Sequence, residues 1–272
     1  MVRSLSAFGL IWLLGCSNSP PPIVVAPVIE VKASDWKAPE KPKETDAAAK
    51  KLLGEMISAH TGGKPEKLAK LTSISLERTG IARTSTGGYG PLGWQEKLVG
   101  KRKYHATFKN LIPGGDSGVY ILDGAKGAYG TTGSPLVVMN ASNIRDVTLQ
   151  IGEDSCLYLF GLNDPEIIAQ TAIVPNIGEK PMLGLHVWSP TIEHMLLTLD
   201  AKTKRLTRLQ YMGTEAGTPA LKDALISGHR EIDGLIFPEK YHVAANGLLL
   251  FEWEKLTFEA GGVIDPKLFE VP

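Results

Sequence analysis

The chain has 272 residues, 29 basic and 29 acidic side chains, and two cysteines. A balance this neutral creates no global field toward nucleic acid or an anionic surface, so nucleic acid is not an expected partner. The length allows one large or two small domains with a substantial core.

Arg3 leads a short apolar run, Leu5 to Leu14, that ends in Leu13-Leu14-Gly15-Cys16. The run is too short to span a bilayer, which needs about 20 apolar residues. Its basic flank and the small residue before Cys16 mark residues 1–15 as a processed leader of the bacterial lipoprotein type. Cys16 is then the mature N-terminus and the lipidation site. A thiol there accepts a diacylglycerol, and acyl chains worth about 0.8 kcal/mol per buried CH2 hold a protein to a membrane. Ser17-Asn18 rather than an aspartate follows Cys16, which resembles the pattern that directs such lipoproteins to the outer membrane. Residues 16–45 are Ser/Pro-rich and then Pro/Lys/Glu-rich, without periodic apolar positions, and read as a disordered tether.

The domain itself is expected over residues 46–272. A helix runs from about Asp46 to His60, where Ala49, Leu52, Leu53 and Met56 keep the i, i+3, i+4, i+7 spacing of one buried stripe. Thr45 or Asp46 caps it, Gly62-Gly63 stops it, and Pro65 opens a short turn to Leu71. Strands follow. Ile74 and Leu76 alternate with polar neighbours, as do Tyr104, Ala106 and Phe108, so each strand buries one face. Asp123-Gly124 turns a hairpin between Val119–Leu122 and Gly127–Thr131. From Ser142 to Phe160 the period changes to that of a helix through Ile144, Val147, Ile151 and Leu159.

From about Ile167 strands return: Leu183–Trp188, His194–Leu199, Arg205–Met212, Leu225–Ile232, Leu235–Ala244 and Leu248–Phe258. The polar link Asp200–Lys204, Asp233-Gly234 and Asn246-Gly247 supply the turns. The fold class is therefore α+β and mainly antiparallel β, a meander of about ten strands with helices at the start and in the middle.

Four stretches in order, His60 to Leu71, Val119 to Gly130, His229 to Tyr241 with Asn246-Gly247, and Ile264 to Pro272, resemble the LolA/LolB-like superfamily of lipoprotein-sorting and hydrophobe-binding envelope proteins. Ala128-Tyr129 departs from it where many relatives carry a tryptophan after the Asp-Gly turn. The resemblance implies a strongly curved half-barrel sheet with helices over its concave face and an apolar cavity between. It implies a lipid or acylated protein as partner, bound or transferred by its acyl chains, with the domain facing the periplasm. Apolar residues on both sides of Met195-Leu196-Leu197, Leu235-Ile236-Phe237 and Leu248-Leu249-Leu250-Phe251 fit covered or greasy faces. For any single residue ordinary core burial competes with a cavity wall. The candidate cavity residues, taken from inward positions of alternating runs, are Trp188, Leu197, Leu199, Phe237 and Trp253. Leu111 and Ile112, before Pro113-Gly114-Gly115, are candidates for a membrane-probing loop, against a buried turn.

Catalysis, metal and cofactor find no support. None of the six histidines falls in a ligand-spaced motif, although His186 and His194 stand on adjacent expected strands, where a hydrogen-bonded pair is the favoured reading. Residues 88–93 match Gly-x-Gly-x-x-Gly, but Pro91 and the strand-like run from Trp94 deny the following helix, and they read as a loop. Cys156 reads as a buried, inert thiol. The alternative to hydrophobe binding is an envelope scaffold that pairs an edge strand with a protein partner.

Overall fold

The computed structural model describes residues 36–272 apart from 85–86, 101, 113–114, 116, 163, 191 and 216. The leader, Cys16 and most of the expected tether lie outside the described residues.

Helix α1 spans Ala47–Thr61, one residue displaced from the expected range. The Asp46 carboxylate accepts the Ala49 amide at 2.6 Å, and Gly62 at φ 61° ends the helix in the left-handed conformation. A 3-10 turn, Pro65–Lys70, leads into β1 (Ser73–Arg83), β2 (Tyr89–Val99), β3 (Lys103–Asn110), β4 (Ser117–Asp123), β5 (Lys126–Thr131) and the short β6 (Val137–Val138). Helix α2 (Ala141–Leu157) follows. Then come β7 (Ile168–Ala172), β8 (Met182–Trp188), β9 (Met195–Asp200), β10 (Leu206–Glu215), β11 (Thr218–Ile232), β12 (Leu235–Ala245) and β13 (Leu248–Ala260).

All thirteen strands belong to one antiparallel, curved and unclosed sheet in the order β6-β5-β4-β3-β2-β1-β13-β12-β11-β10-β9-β8-β7. Two meanders are thus joined at β1 and β13. The two edges, β6 and β7, are linked by α2, so that helix must run from one side of the sheet to the other. Helix α1 packs on β7, β8 and β12, and α2 on β10.

The ladder slips at Thr79/Gly80, Leu206/Arg208, Ile226/Gly228 and Val243/Ala244. Such bulges bend strands and increase their twist, which is how a sheet this wide curves around helices. At the seam a Cβ on Gly80 would lie 1.9 Å from the Glu252 carbonyl oxygen, so β13 approaches β1 only because that residue is glycine.

The sheet holds more strands than the roughly ten expected from patterning. The short edge strands β6 and β7 carry too few residues for an alternating signal. Residues 89–93 open β2 instead of forming a loop, with Pro91 facing Ile81 in the ladder. β11 begins at Thr218, ahead of the expected Leu225, because Lys222 and Asp223 are buried through pairing with the half-buried Glu215 and the buried Arg208, which hides its alternation. Helix α2 stops at Leu157, ahead of the expected Phe160, where Leu159 turns to φ 65°.

The free edge of β7 is blunted from the N-terminal side. The Ala169 amide donates to the Thr45 hydroxyl at 3.0 Å, and the Thr171 amide to the Asp46 carboxylate at 3.3 Å.

Candidate functional site

Helix α2 presents an unusual face to the sheet. Asp146, Gln150, Glu153 and Asp154 follow i, i+4, i+7, i+8 and so form one stripe, and Asp146, Glu153 and Asp154 are buried. Each meets a partner that the strands deliver. The Thr214 hydroxyl of β10 donates to Asp146 at 2.8 Å, and the Tyr211 hydroxyl to Glu153 at 2.6 Å. Arg78 of β1 donates to Asp154 at 3.3 Å, and Gln150 braces the other oxygen of Asp154 at 3.3 Å.

Arg78 is the hub. It is buried, ion-paired with Glu96 of β2, and donates to the Tyr241 hydroxyl of β12. Tyr104 donates to Glu96 at 2.6 Å, and the Tyr158 and Tyr241 hydroxyls lie 3.3 Å apart. Burial works against the Arg78 charge, yet Glu96, Tyr241 and Asp154 hold the guanidinium protonated more firmly than in water. Burial and the neighbouring Glu96 push the Asp154 carboxyl well up, against the pull of Arg78. Burial raises Glu153 too, and the Tyr211 hydrogen bond partly offsets it.

Beside this seam the sheet offers aromatic rings. Phe251 and Trp253 of β13 stack 5.7 Å apart, Trp253 meets Trp94 of β2 at 6.5 Å, and Trp94 stacks on Phe108 of β3 at 6.0 Å. Phe108 meets Tyr120 of β4 at 6.0 Å, and Tyr120 stacks on Tyr129 of β5 at 6.4 Å. The row is interrupted at β1 by Arg78, whose guanidinium lies 5.1 Å from the Trp253 ring centre.

Two voids of about 20 Å3 each separate α2 from this wall. One touches Asp146, Gln150, Tyr211 and Lys222, the other Arg78, Trp94, Gln150, Glu153 and Trp253. Each has room for a single water. Arg78 Nε and Trp94 Nε1, both at the second void, have no hydrogen-bond partner among the described residues.

The five residues proposed from alternation are all buried. Leu197, Leu199, Phe237 and Trp253 belong to the main core; Phe237 packs on Phe258 at 4.1 Å and on Tyr158 at 6.0 Å. Of these Trp253 alone borders a void between α2 and the sheet. Trp188 is apart from the others. It lies 4.9 Å from the His194 ring, in a group with His186 and Trp36. Leu111 is 47% exposed and Ile112 half-buried, on a loop whose residues 113–114 lie outside the described ones.

His186 and His194 meet at 3.0 Å. No group of three or more His, Cys, Asp or Glu positioned for a metal occurs among the described residues. Cys156 is buried, and burial pushes its thiol far up. The polar stripe of α2 and its hub Arg78 were missed by reading only apolar periodicity. The signal that finds the stripe is the helical spacing of the four polar residues themselves.

No protein-family model matches the chain, and no curated protein matches it in sequence. Solved structures do. A domain from Vibrio parahaemolyticus, provisionally described as an outer membrane lipoprotein-sorting protein domain, is 8% identical, covers 82% of this chain and 96% of its own, and superposes with a TM-score of 0.50. A DUF1329 family protein from Desulfovibrio piger is 12% identical over 82% of this chain and 97% of its own, with a TM-score of 0.50. A LolA superfamily protein from Nitrosomonas europaea is 11% identical with 82% and 97% covered, at a TM-score of 0.49. The first two likenesses establish a shared fold. That fold is the curved, unclosed half-barrel sheet with helices that the sequence resemblance implied.

Proposed function

We propose that this chain is a lipid-anchored envelope protein, tethered to the outer membrane through Cys16, that binds the acyl chains of a lipid or an acylated protein between α2 and the aromatic wall. The observation that carries the reading is the character of the α2 seam. The stripe that helix turns toward the wall is polar, whereas the wall beside it holds Phe251, Trp253 and Trp94, the start of an aromatic row that Phe108, Tyr120 and Tyr129 continue along the sheet.

A buried ion pair contributes little net stability, because its Coulomb energy is set against the desolvation of both partners. When α2 moves out, Asp154, Glu153 and Arg78 regain water together, which offsets part of the cost of withdrawing Val147, Leu149, Ile151 and Leu157 from the main core. The rings so uncovered gain about 25 cal/mol for each Å2 of apolar surface that an acyl chain covers. Sequestration needs no covalent step, and the mechanism is partition coupled to displacement of α2.

The test is a titration of the full chain with a fluorescent fatty acid, together with mass spectrometry of solvent extracts from protein purified out of its own membranes. Saturable uptake of the probe, or co-purified acyl lipid, supports the reading. Absence of both overturns it.

A second reading, an envelope scaffold, is favoured by the asymmetry of the sheet edges. β7 is capped by Thr45 and Asp46, whereas β6 carries Val137 and Val138 at 52% and 65% exposure. A protein partner would add a strand at β6. Val137→Lys would abolish that pairing without touching fatty-acid uptake.

A further inference from the structure

A void far larger than the two beside α2 lies on the other side of the sheet. Val243 pairs with Ala224 and borders a void beside α2; His242, its chain neighbour, pairs with Leu225 and Glu252 and therefore faces the opposite side of the sheet. There an open groove of about 400 Å3 crosses the strands from Met182 of β8 to Glu252 of β13. It shares Ser227, His242 and Glu252 with an adjoining depression of about 300 Å3. Ligand sites commonly occupy about 300–1,000 Å3.

Two features mark the groove as built. The ladder slips between Leu206 and Arg208 and between Ile226 and Gly228, and the residues left over, Thr207 and Ser227, both line it. Bulges re-aim side chains, and here both re-aimed residues are hydroxylic. Each uses its only hydroxyl hydrogen on the sheet: Thr207 donates to the Thr198 carbonyl at 2.9 Å and Ser227 to the Lys240 carbonyl at 3.2 Å. What remains for a ligand is lone pairs.

The second feature is unspent acceptor capacity. Glu252 forms no ion pair with a lysine or arginine among the described residues. His242 Nε2 is shielded from water without a hydrogen-bond partner. Burial lowers the His242 pKa, against Asp223 and Glu252, so the ring is neutral at neutral pH and does not repel a cation. Arg208, which also faces it, is held by Asp223 at 2.7 and 2.5 Å. Lys180 lies across the row of strands beside Asp200, and Lys240 and Lys255 line the adjoining depression together with Glu254, without an ion pair to Glu252 among the described residues.

We propose that this outer groove binds a small aliphatic amine, with the ammonium at Glu252, Ser227 and His242 and the alkyl portion on Leu225. The site is independent of the acyl-binding reading, being on the other face of the sheet.

Calorimetry of the full chain with hexylamine, hexanol and hexanoate tests it. Hexylamine should bind saturably at one site, with hexanol and hexanoate weaker by about tenfold or more, the fold-change of one charge-assisted hydrogen bond. Glu252→Gln should weaken hexylamine by a similar factor with thermal unfolding unchanged. Ser227→Leu, at an exposed position, should block it sterically. A saturating fatty acid should leave hexylamine binding unaffected. No saturable hexylamine binding, equal binding of hexanol, or an unaltered Glu252→Gln variant would each overturn the proposal. Competition by fatty acid would place the amine at the α2 seam and overturn it too.

Discussion

Replacing Arg78 by methionine separates a polar seam from an ordinary core. Methionine keeps an apolar stem of similar reach, so packing changes little, but Glu96 and Asp154 lose the arginine that pairs with both. Deleting one partner of a buried pair strands the other and typically costs about 3–5 kcal/mol. That is a large part of the roughly 5–15 kcal/mol by which a domain is stable. Here there is an escape: moving α2 outward returns Asp154 and Glu153 to water. The expected result is therefore loss of hydrogen-exchange protection along α2 before the sheet opens, with a lowered urea midpoint. Arg78→Met combined with Asp154→Leu removes the stranded charge on α2 and should restore about 1–3 kcal/mol, the coupling range of residues in one network. Unchanged protection of α2, together with a loss under about 1 kcal/mol, would refute the view that Arg78 compensates the buried carboxylates of the seam.

Gly80→Ala would force a Cβ to within 1.9 Å of the Glu252 carbonyl at the seam of the two meanders, and urea unfolding should show a loss of about 3 kcal/mol or failure to fold. His60 is neutral and doubly engaged, with Nδ1 at 2.6 Å from the Ile236 carbonyl and Nε2 accepting the Leu206 amide at 2.9 Å. Burial lowers its pKa from 6.5 to about 4, so the unfolded chain takes up the proton first on acidification. Its contribution is complete above pH 6.5 and is lost as pH falls toward 4, up to about 3 kcal/mol at 1.36 kcal/mol per unit. His60→Gln should flatten that part of the stability curve. Cys16→Ala should shift the chain from the membrane fraction to the soluble one; full retention on membranes would contradict lipid anchoring.

Local features of the fold were legible because short-range physics determines them. Asp46 caps α1 and Gly62 ends it; Asp233-Gly234 and Asn246-Gly247 turn with positive φ at both residues of each pair. The pairing of β1 with β13 was not legible, since a contact between Ile74 and Ala260 leaves no trace in any short window. Alternation shows that Trp188 and Leu197 are each set on one face of a strand, but not that Trp188 meets His194 and Trp36 while Leu197 joins the main core. The α2 stripe was readable in principle: Asp146, Gln150, Glu153 and Asp154 keep helical spacing. Only the paired strands, however, bring Arg78, Tyr211 and Thr214 to meet it. The outer groove depends on ladder slips at Thr207 and Ser227, which side-chain patterning does not reveal.

The most direct test of acyl binding by displacement of α2 is to pin that helix. Asp146 and Thr214 hydrogen-bond across the seam at 2.8 Å, so Asp146→Cys with Thr214→Cys, joined by a short reducible bis-thiol linker, would fasten α2 to β10. Cys156 lies on α2 itself and is buried only while the helix is seated, so Cys156→Ala removes it as a competing thiol in both forms. Fatty-acid uptake should vanish in the linked protein and return on reduction. Equal uptake in the linked and reduced forms would contradict the account.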